Sequence, residues 1–132
     1  MDPQLAAIAH KYSARLILRF GSTVSGKTHP RSDVDIAVLL AHPDFSLREH
    51  AELQHALQSL FTDRAVDLVI LNRADPLLLK QISDRCVRLY GSEQEFQRFR
   101  LLAFKRYQDH RRFLEMERRY VERMLEADIP DS

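Results

Sequence analysis

Two short clusters in the first half of the chain contain the residue types that bind phosphate groups and metal ions. Gly21 and Ser22 follow one apolar run, and after ten further residues Asp33-Val34-Asp35 begins a second apolar run. Glycine has no Cβ atom, so its backbone can approach a phosphate closely. Residues two apart on a strand project from the same face. The pattern predicts a phosphate-binding turn beside two converging carboxylates.

A third acid, Asp67, lies between Val66 and Leu68 in a later apolar run. Carboxylates on adjacent strands repel one another unless a cation or a proton lies between them. Magnesium suits such a group because it prefers oxygen ligands and commonly uses carboxylates together with substrate phosphates. We therefore expect Asp33, Asp35 and Asp67 to hold Mg²⁺, with two ions in the active complex, and Asp67 to help hold or deprotonate the attacking hydroxyl.

The elements that position these residues can be read from apolar runs and capping residues. The β-branched-rich runs predict strands at about 15–20, 34–40, 65–71 and 87–90, with a short helical turn after Ser22. Capping patterns at residues 2–3, 46–49, 75–76 and 92–95 predict helices over about 2–12, 46–61, 76–85 and 93–126. We expect an α/β fold with a small mixed sheet of about four strands covered by helices. Residues 1–132 would form one domain, with a core over about 1–91.

The last predicted helix is unusually long, because no Gly or Pro interrupts the chain between Gly91 and Pro130. At 1.5 Å per residue it would span roughly 50 Å, more than the diameter of a small domain. Its apolar residues continue to Met124. Two alternatives stay open: the helix folds back onto the core, or its far part is an interface for an oligomer or a partner protein.

Composition limits the classes of function. The 132 residues include 20 Lys and Arg against 19 Asp and Glu, and a net charge of +1 gives no general attraction to nucleic acid or to anionic membranes. Cys86 is the only cysteine, which suits a reducing compartment such as the cytoplasm. The N-terminus lacks a basic leader, and no apolar run approaches the roughly 18 residues of a membrane span. We expect a cytoplasmic protein that binds neither nucleic acid nor membranes.

The motif of Gly21-Ser22, ten residues, Asp33-x-Asp35 and a later acid, Asp67, resembles the signature of the DNA polymerase β-type nucleotidyltransferases. The short chain is similar to the minimal nucleotidyltransferase antitoxins that pair with HEPN-domain toxins. This resemblance implies an adenylyltransferase that uses ATP and magnesium to attach AMP to a tyrosine of the toxin and so silences its RNase activity. It also implies metal-binding roles for the three acids and nucleotide-binding roles for Gly21 and Ser22.

One position departs from the pattern of the family. Many members have Arg immediately before the second glycine of the turn, whereas this chain has Ser25 before Gly26 and then Lys27. Lys27 either replaces the missing charge in nucleotide binding or is a solvated loop cation.

Two other functions are compatible with the sequence. A non-catalytic antitoxin would block its toxin through the long helix alone. A nucleotidyltransferase for a small molecule such as an aminoglycoside is the weaker alternative, because the chain has no second domain to bind that substrate.

Overall fold

A computed structural model describes residues 2–21 and 33–127 and contains one mixed sheet. The four strands are β1 (Ala14–Phe20), β2 (Val34–Leu40), β3 (Val66–Ile70) and β4 (Cys86–Tyr90). Their order across the sheet is β3-β2-β1-β4. Strand β1 pairs antiparallel with β2 and β4, and β2 pairs parallel with β3. The predicted fold class is confirmed.

The helices begin where the capping residues predict. They are α1 (Pro3–Lys11), α2 (Leu47–Gln58), α3 (Pro76–Asp84) and α4 (Glu93–Ala127), with a single 3₁₀ turn at Leu71–Arg73. The side chains of Asp2, Ser46 and Asp75 each accept a hydrogen bond from a backbone amide of the first helical turn. These bonds satisfy amides that have no partner within the helix.

Helix α2 ends at Gln58, so the prediction of a helix to residue 61 was wrong at its C-terminal end. The Gln58 amide nitrogen donates to the carbonyl oxygens of Phe61 and Arg64, and its oxygen accepts from the amide of Val66. One polar side chain therefore organises the turn that leads into β3. Leu60 and Phe61 still pack against the core, which explains why the apolar spacing continued past the helix.

The sheet separates two layers of core. On one face, α1 and α2 cover alternate residues of the strands, with Leu53 and Leu57 of α2 fully buried. On the other face, α3 and α4 supply Leu79, Ile82 and Phe99. Strand β2 contributes to both layers, as expected of the buried central strand.

Helix α4 is a single helix of 35 residues, and α3 packs along its first part. Phe99 and Ala103 are its buried residues, whereas the apolar side chains beyond His110 are exposed. The alternative in which the helix folds back onto the core is therefore wrong. None of the helices within 2–21 and 33–127 is both long enough and apolar enough to cross a membrane.

Candidate nucleotidyltransferase site

Strand register brings the predicted acids to one end of the sheet. In the parallel pair of β2 and β3, Asp35 lies opposite Asp67. In the antiparallel pair of β1 and β2, Phe20, the last residue of β1, lies opposite Asp35. Gly21 follows directly, and Asp33 immediately precedes β2. The C-terminal end of β1 and the N-terminal ends of β2 and β3 thus form one edge with three acids.

The acids lie on the face of the sheet that α3 and α4 cover. Alternate strand residues share a face, so Asp35 lies with Ala37, and Asp67 lies with Val69. Ala37 and Val69 pack in the core layer formed with α3 and α4. Asp35 is partly buried, while Asp33 and Asp67 are exposed. The two helices therefore cover the middle of this face, whereas Asp33 and Asp67 remain exposed at its acidic end.

Gly21 is required where it stands for two reasons. Its φ angle is +80°, a region that residues with a Cβ atom rarely adopt. A Cβ atom at this position would also overlap the Oδ2 atom of Asp35. Gly21 therefore lies against the carboxylate of Asp35. The phosphate-binding role of the turn stays a prediction.

Negative charge is concentrated around Asp35. Burial raises the pKa of the Asp35 carboxyl above its usual value, and the charges of Asp67 and then Asp33 raise the pKa further. These two neighbours are both acids, so each of them opposes ionisation of Asp35. A cation held among these carboxylates would relieve their repulsion.

Carboxylate oxygens that repel one another are suitable ligands for a hard divalent cation such as Mg²⁺. Within residues 2–21 and 33–127, however, no group of three or more His, Cys, Asp or Glu side chains is already arranged around a common metal position. The register brings Asp35 and Asp67 together, and Asp33 lies close enough to affect the pKa of Asp35. The acids are thus neighbours without being a preassembled three-carboxylate site.

Three of the residues singled out from the sequence lie outside the described part of the chain. They are Ser22, Ser25 and Lys27. The helical turn expected after Ser22 also lies outside the described residues. The roles of Ser22 and Lys27 in nucleotide binding therefore stay predictions.

A cavity of about 300 Å³ adjoins Gly21 on the side of α3. It is lined by Phe20, Gly21, Leu78, Gln81 and Arg85. The last three recur at helical spacing along one side of α3 and just past its end, next to the buried Leu79 and Ile82. Gln81 and Arg85 were missed in the sequence analysis, because only the packing of α3 against the sheet brings them near Gly21.

A larger cavity of about 620 Å³ lies between the end of α1 and α2, where Lys11, Tyr12, Arg48 and His55 are among its lining residues. A neighbouring cavity, which shares Lys11 and Tyr12, reaches Leu40 at the far end of β2 from Asp35. Size alone would favour this region as a binding site. The paired acids and the glycine turn instead favour the other end of the sheet for the candidate chemistry.

Comparison with known proteins supports the same region. A family model described as "Polymerase beta, Nucleotidyltransferase" matches residues 4–95, which include all four strands, Gly21 and the three acids. The chain is also similar to the protein adenylyltransferase MntA of Shewanella oneidensis, with 34% identity over 94 residues. That match covers 71% of this chain and 66% of MntA, so it spans about two thirds of the relative.

Solved structures of toxin–antitoxin complexes are similar over most of the chain. One is a toxin–antitoxin structure with AMP-PNP, with a TM-score of 0.72, 30% identity and coverage of 92% of this chain and 95% of that chain. Another is a tri-AMPylated Shewanella oneidensis HEPN toxin in complex with MNT antitoxin, with a TM-score of 0.66, 27% identity and coverage of 92% of both chains. The resemblance to minimal nucleotidyltransferase antitoxins is confirmed. With the family model matching residues 4–95, the chain belongs to the polymerase beta-type nucleotidyltransferases.

Proposed function

We propose that this chain is an antitoxin that neutralises a HEPN RNase toxin by transferring AMP from ATP to a tyrosine of the toxin. The observation that carries the proposal is the register of β2 and β3, which pairs Asp35 with Asp67 beside the turn at Gly21. The proposal that a HEPN toxin accepts the AMP is supported by two relatives. One is a protein adenylyltransferase at 34% identity, and the other is a structure of an MNT antitoxin in complex with an AMPylated HEPN toxin.

In the proposed reaction the tyrosine oxygen of the toxin attacks the α-phosphorus of ATP. A new P–O bond joins AMP to the tyrosine, the bond between the α- and β-phosphates breaks, and pyrophosphate leaves with the bonding electrons. Asp67, whose side chain is exposed, would help to hold the tyrosine hydroxyl or accept its proton. The backbone at Gly21, together with Ser22 and Lys27, would bind the β- and γ-phosphates.

Asp33, Asp35 and Asp67 are the residues that would hold magnesium, with two ions in the active complex. When bound, Mg²⁺ supplies positive charge that polarises the phosphate oxygens and stabilises negative charge in the transition state. The register that sets Asp35 opposite Asp67 supports this assignment, and burial together with the two neighbouring acids raises the pKa of Asp35. Asp35 is the partly buried member, and it is the acid whose pKa both of the others raise.

The toxin is proposed to bind along the exposed part of α4. We define the distal surface as the exposed apolar residues of its second half: Phe113, Leu114, Met116, Tyr120, Val121, Met124 and Leu125. Val121 lies five helical turns after the buried Ala103, so both side chains point to the same side of the helix. The side of α4 that carries the buried Ala103 therefore continues along the second half of the helix. There, no other element among the described residues covers it.

The charges on this half of α4 do not favour nucleic acid or a membrane as the occupant. Arg118 pairs with Glu122 and Arg119 pairs with Glu115 along the helix, so basic and acidic groups alternate on its surface. A protein with its own apolar face fits this combination better. Similar antitoxin chains in toxin complexes match 92% of this chain, a span that includes most of α4.

Transfer of label from ATP tests the proposed reaction directly. The purified chain is incubated with Mg²⁺ and the HEPN protein from its own genetic neighbourhood, using ATP labelled at either the α- or the γ-phosphate. We expect the α-label, and not the γ-label, to appear on a tyrosine of the toxin. Label on an added aminoglycoside instead of the toxin would favour a small-molecule acceptor and contradict the proposal.

The distal surface also supports a second candidate function, in which the chain blocks its toxin by binding alone. Growth rescue by the Asp33→Asn variant, co-expressed with the toxin at equal levels, distinguishes the two functions. Loss of growth rescue with an intact complex supports catalysis. Full rescue by this variant supports steric blockade.

We further infer that residues 1–132 act as one nucleotidyltransferase domain in the cytoplasm. Cys86, the single cysteine, is a free thiol in the structure, which suits a reducing compartment.

A further inference from the structure

The cavity beside α3 and the acidic end of the sheet both adjoin Gly21. Gly21 lines the cavity and also lies against the carboxylate of Asp35. A nucleotide whose phosphates lie at the acids can therefore extend past Gly21 into the cavity. At about 300 Å³ the cavity is at the lower limit of common ligand pockets, so it suits part of a nucleotide rather than the whole molecule.

We propose that this cavity binds the nucleobase of the nucleotide substrate and that Gln81 is the residue that selects adenine. The proposal rests on the nucleotidyl-transfer function proposed above and names which part of the substrate this cavity receives. It adds a specificity-determining residue outside the Gly-Ser and Asp-x-Asp motif.

The lining of the cavity fits a base better than a phosphate chain. Phe20 and Leu78 provide apolar walls against which a flat aromatic ring can pack. Triphosphate oxygens would instead seek backbone amides and cations, which the turn at Gly21 and the metal site supply. Arg85 at the rim has a planar guanidinium that can stack on the base or approach a phosphate that leads into the cavity.

Gln81 supplies the discrimination between bases. Its side-chain amide has both a donor and an acceptor, and this pair matches the N6 amino group and N7 of adenine. Guanine has two acceptors, O6 and N7, at the corresponding edge, so one half of the amide is left without a partner. The position of Gln81 on the cavity wall therefore favours ATP over GTP.

Binding measurements without toxin test the proposal separately from the acceptor. Isothermal titration with Mg²⁺ and non-hydrolysable analogues of ATP and GTP would compare wild type with Gln81→Ala, Arg85→Ala and the control Gln94→Ala. Gln94 is exposed in the first turn of α4, away from the cavity lining. All three positions are exposed, so these truncations leave the core unchanged.

We expect Gln81→Ala to weaken binding of the ATP analogue about tenfold and to change binding of the GTP analogue little. Arg85→Ala should weaken both analogues by a similar factor, and Gln94→Ala should change neither. An unchanged ratio of ATP to GTP affinity in Gln81→Ala would overturn the proposal. Wild type that binds neither analogue would overturn it too. Selectivity that depends on Gln81 without label transfer to the toxin would uphold the cavity assignment and contradict only the proposed acceptor.

Discussion

The acidic end of the sheet and the distal surface of α4 differ in the chemistry that they present. At the acidic end, Asp33, Asp35 and Asp67 concentrate negative charge around a partly buried carboxyl group. Along the distal surface, apolar side chains such as Phe113 and Val121 remain 61% and 49% exposed. The first region suits a cation and phosphates, whereas the second suits another apolar surface.

This difference separates the chemistry of the protein from its choice of target. Residues at the acidic end are proposed to determine which group is transferred, and they lie within the matched family region. The distal surface lies beyond residue 95 and is proposed to determine which protein receives that group. Variants in the two regions should therefore fail in different assays.

The largest expected effect comes from Gly21→Ala, which disturbs the acidic end and leaves the distal surface intact. The new Cβ atom would overlap Asp35 Oδ2, and the φ angle of +80° would cost about 1 to 3 kcal/mol. We expect AMP transfer to fall about a hundredfold, measured as the initial rate with saturating toxin.

Gly91→Ala is the matched control for backbone strain. Gly91 also has a positive φ, of +117°, but it follows the end of β4 that is remote from Gly21. It should lower thermal stability and retain the rate of AMP transfer. Equal losses of that rate in both variants would show that strain alone, rather than the contact with Asp35, explains the Gly21 effect.

The double variant Leu114→Glu, Val121→Glu tests the other side of the comparison. Two buried charges at a protein interface should weaken binding of the toxin more than tenfold, while nucleotide affinity stays at the wild-type value. Titration of labelled toxin would measure the first quantity, and calorimetry with an ATP analogue the second. Leu47→Glu, at a residue 86% exposed on α2, is the control for adding charge in place of an exposed leucine. Unchanged toxin affinity in the double variant would rule out the distal surface as the docking site.

A smaller effect is expected on the stability of the metal-free protein. Because the folded-state pKa of Asp35 is raised, ionisation of this group destabilises the fold as the pH rises above its unfolded value of about 3.9. In EDTA, Asp35→Asn should therefore have a higher melting temperature than wild type at pH 7, and the difference should shrink towards pH 4. Addition of Mg²⁺ and an ATP analogue should stabilise wild type more than the variant. A lower melting temperature for Asp35→Asn in EDTA would contradict the electrostatic account.

The smallest effect concerns Cys86, at the start of β4. Burial raises the pKa of its thiol, and the nearby charge of Arg100 partly opposes this shift. Alkylation by iodoacetamide at pH 8 should be slow in the folded protein and faster in urea. Arg100→Ala should slow the folded-state reaction further, because the opposing charge is lost. Faster alkylation in Arg100→Ala would contradict this assignment.

The sequence predicted the elements well because their signals are local. The caps at Ser46 and Asp75 and the strand over 34–40 depend on neighbouring residues alone. The end of α2 was missed because the Gln58 side chain bonds to a turn that lies further along the chain. Such contacts depend on the path of the backbone rather than on apolar spacing.

The candidate site was predicted in part for the same reason. The spacing between Gly21 and Asp35 in the sequence predicted that the two residues lie close together. Asp67 was recognised because it is an acid within an apolar strand. Gln81 and Arg85 carry no such signal, since helix α3 reaches Gly21 only through tertiary packing. The exposure of Asp67 also depends on how far α3 and α4 extend over the sheet.

The most direct test of the central claim is the intact mass of the toxin after incubation with ATP, Mg²⁺ and either wild type or Asp33→Asn. Asp33 is exposed and precedes β2, so its replacement should leave the fold intact. We predict that wild type adds one or more AMP units to the toxin and that the Asp33→Asn variant adds none in the same time while still binding it. An unmodified toxin mass with wild type, despite a stable complex, would contradict the account.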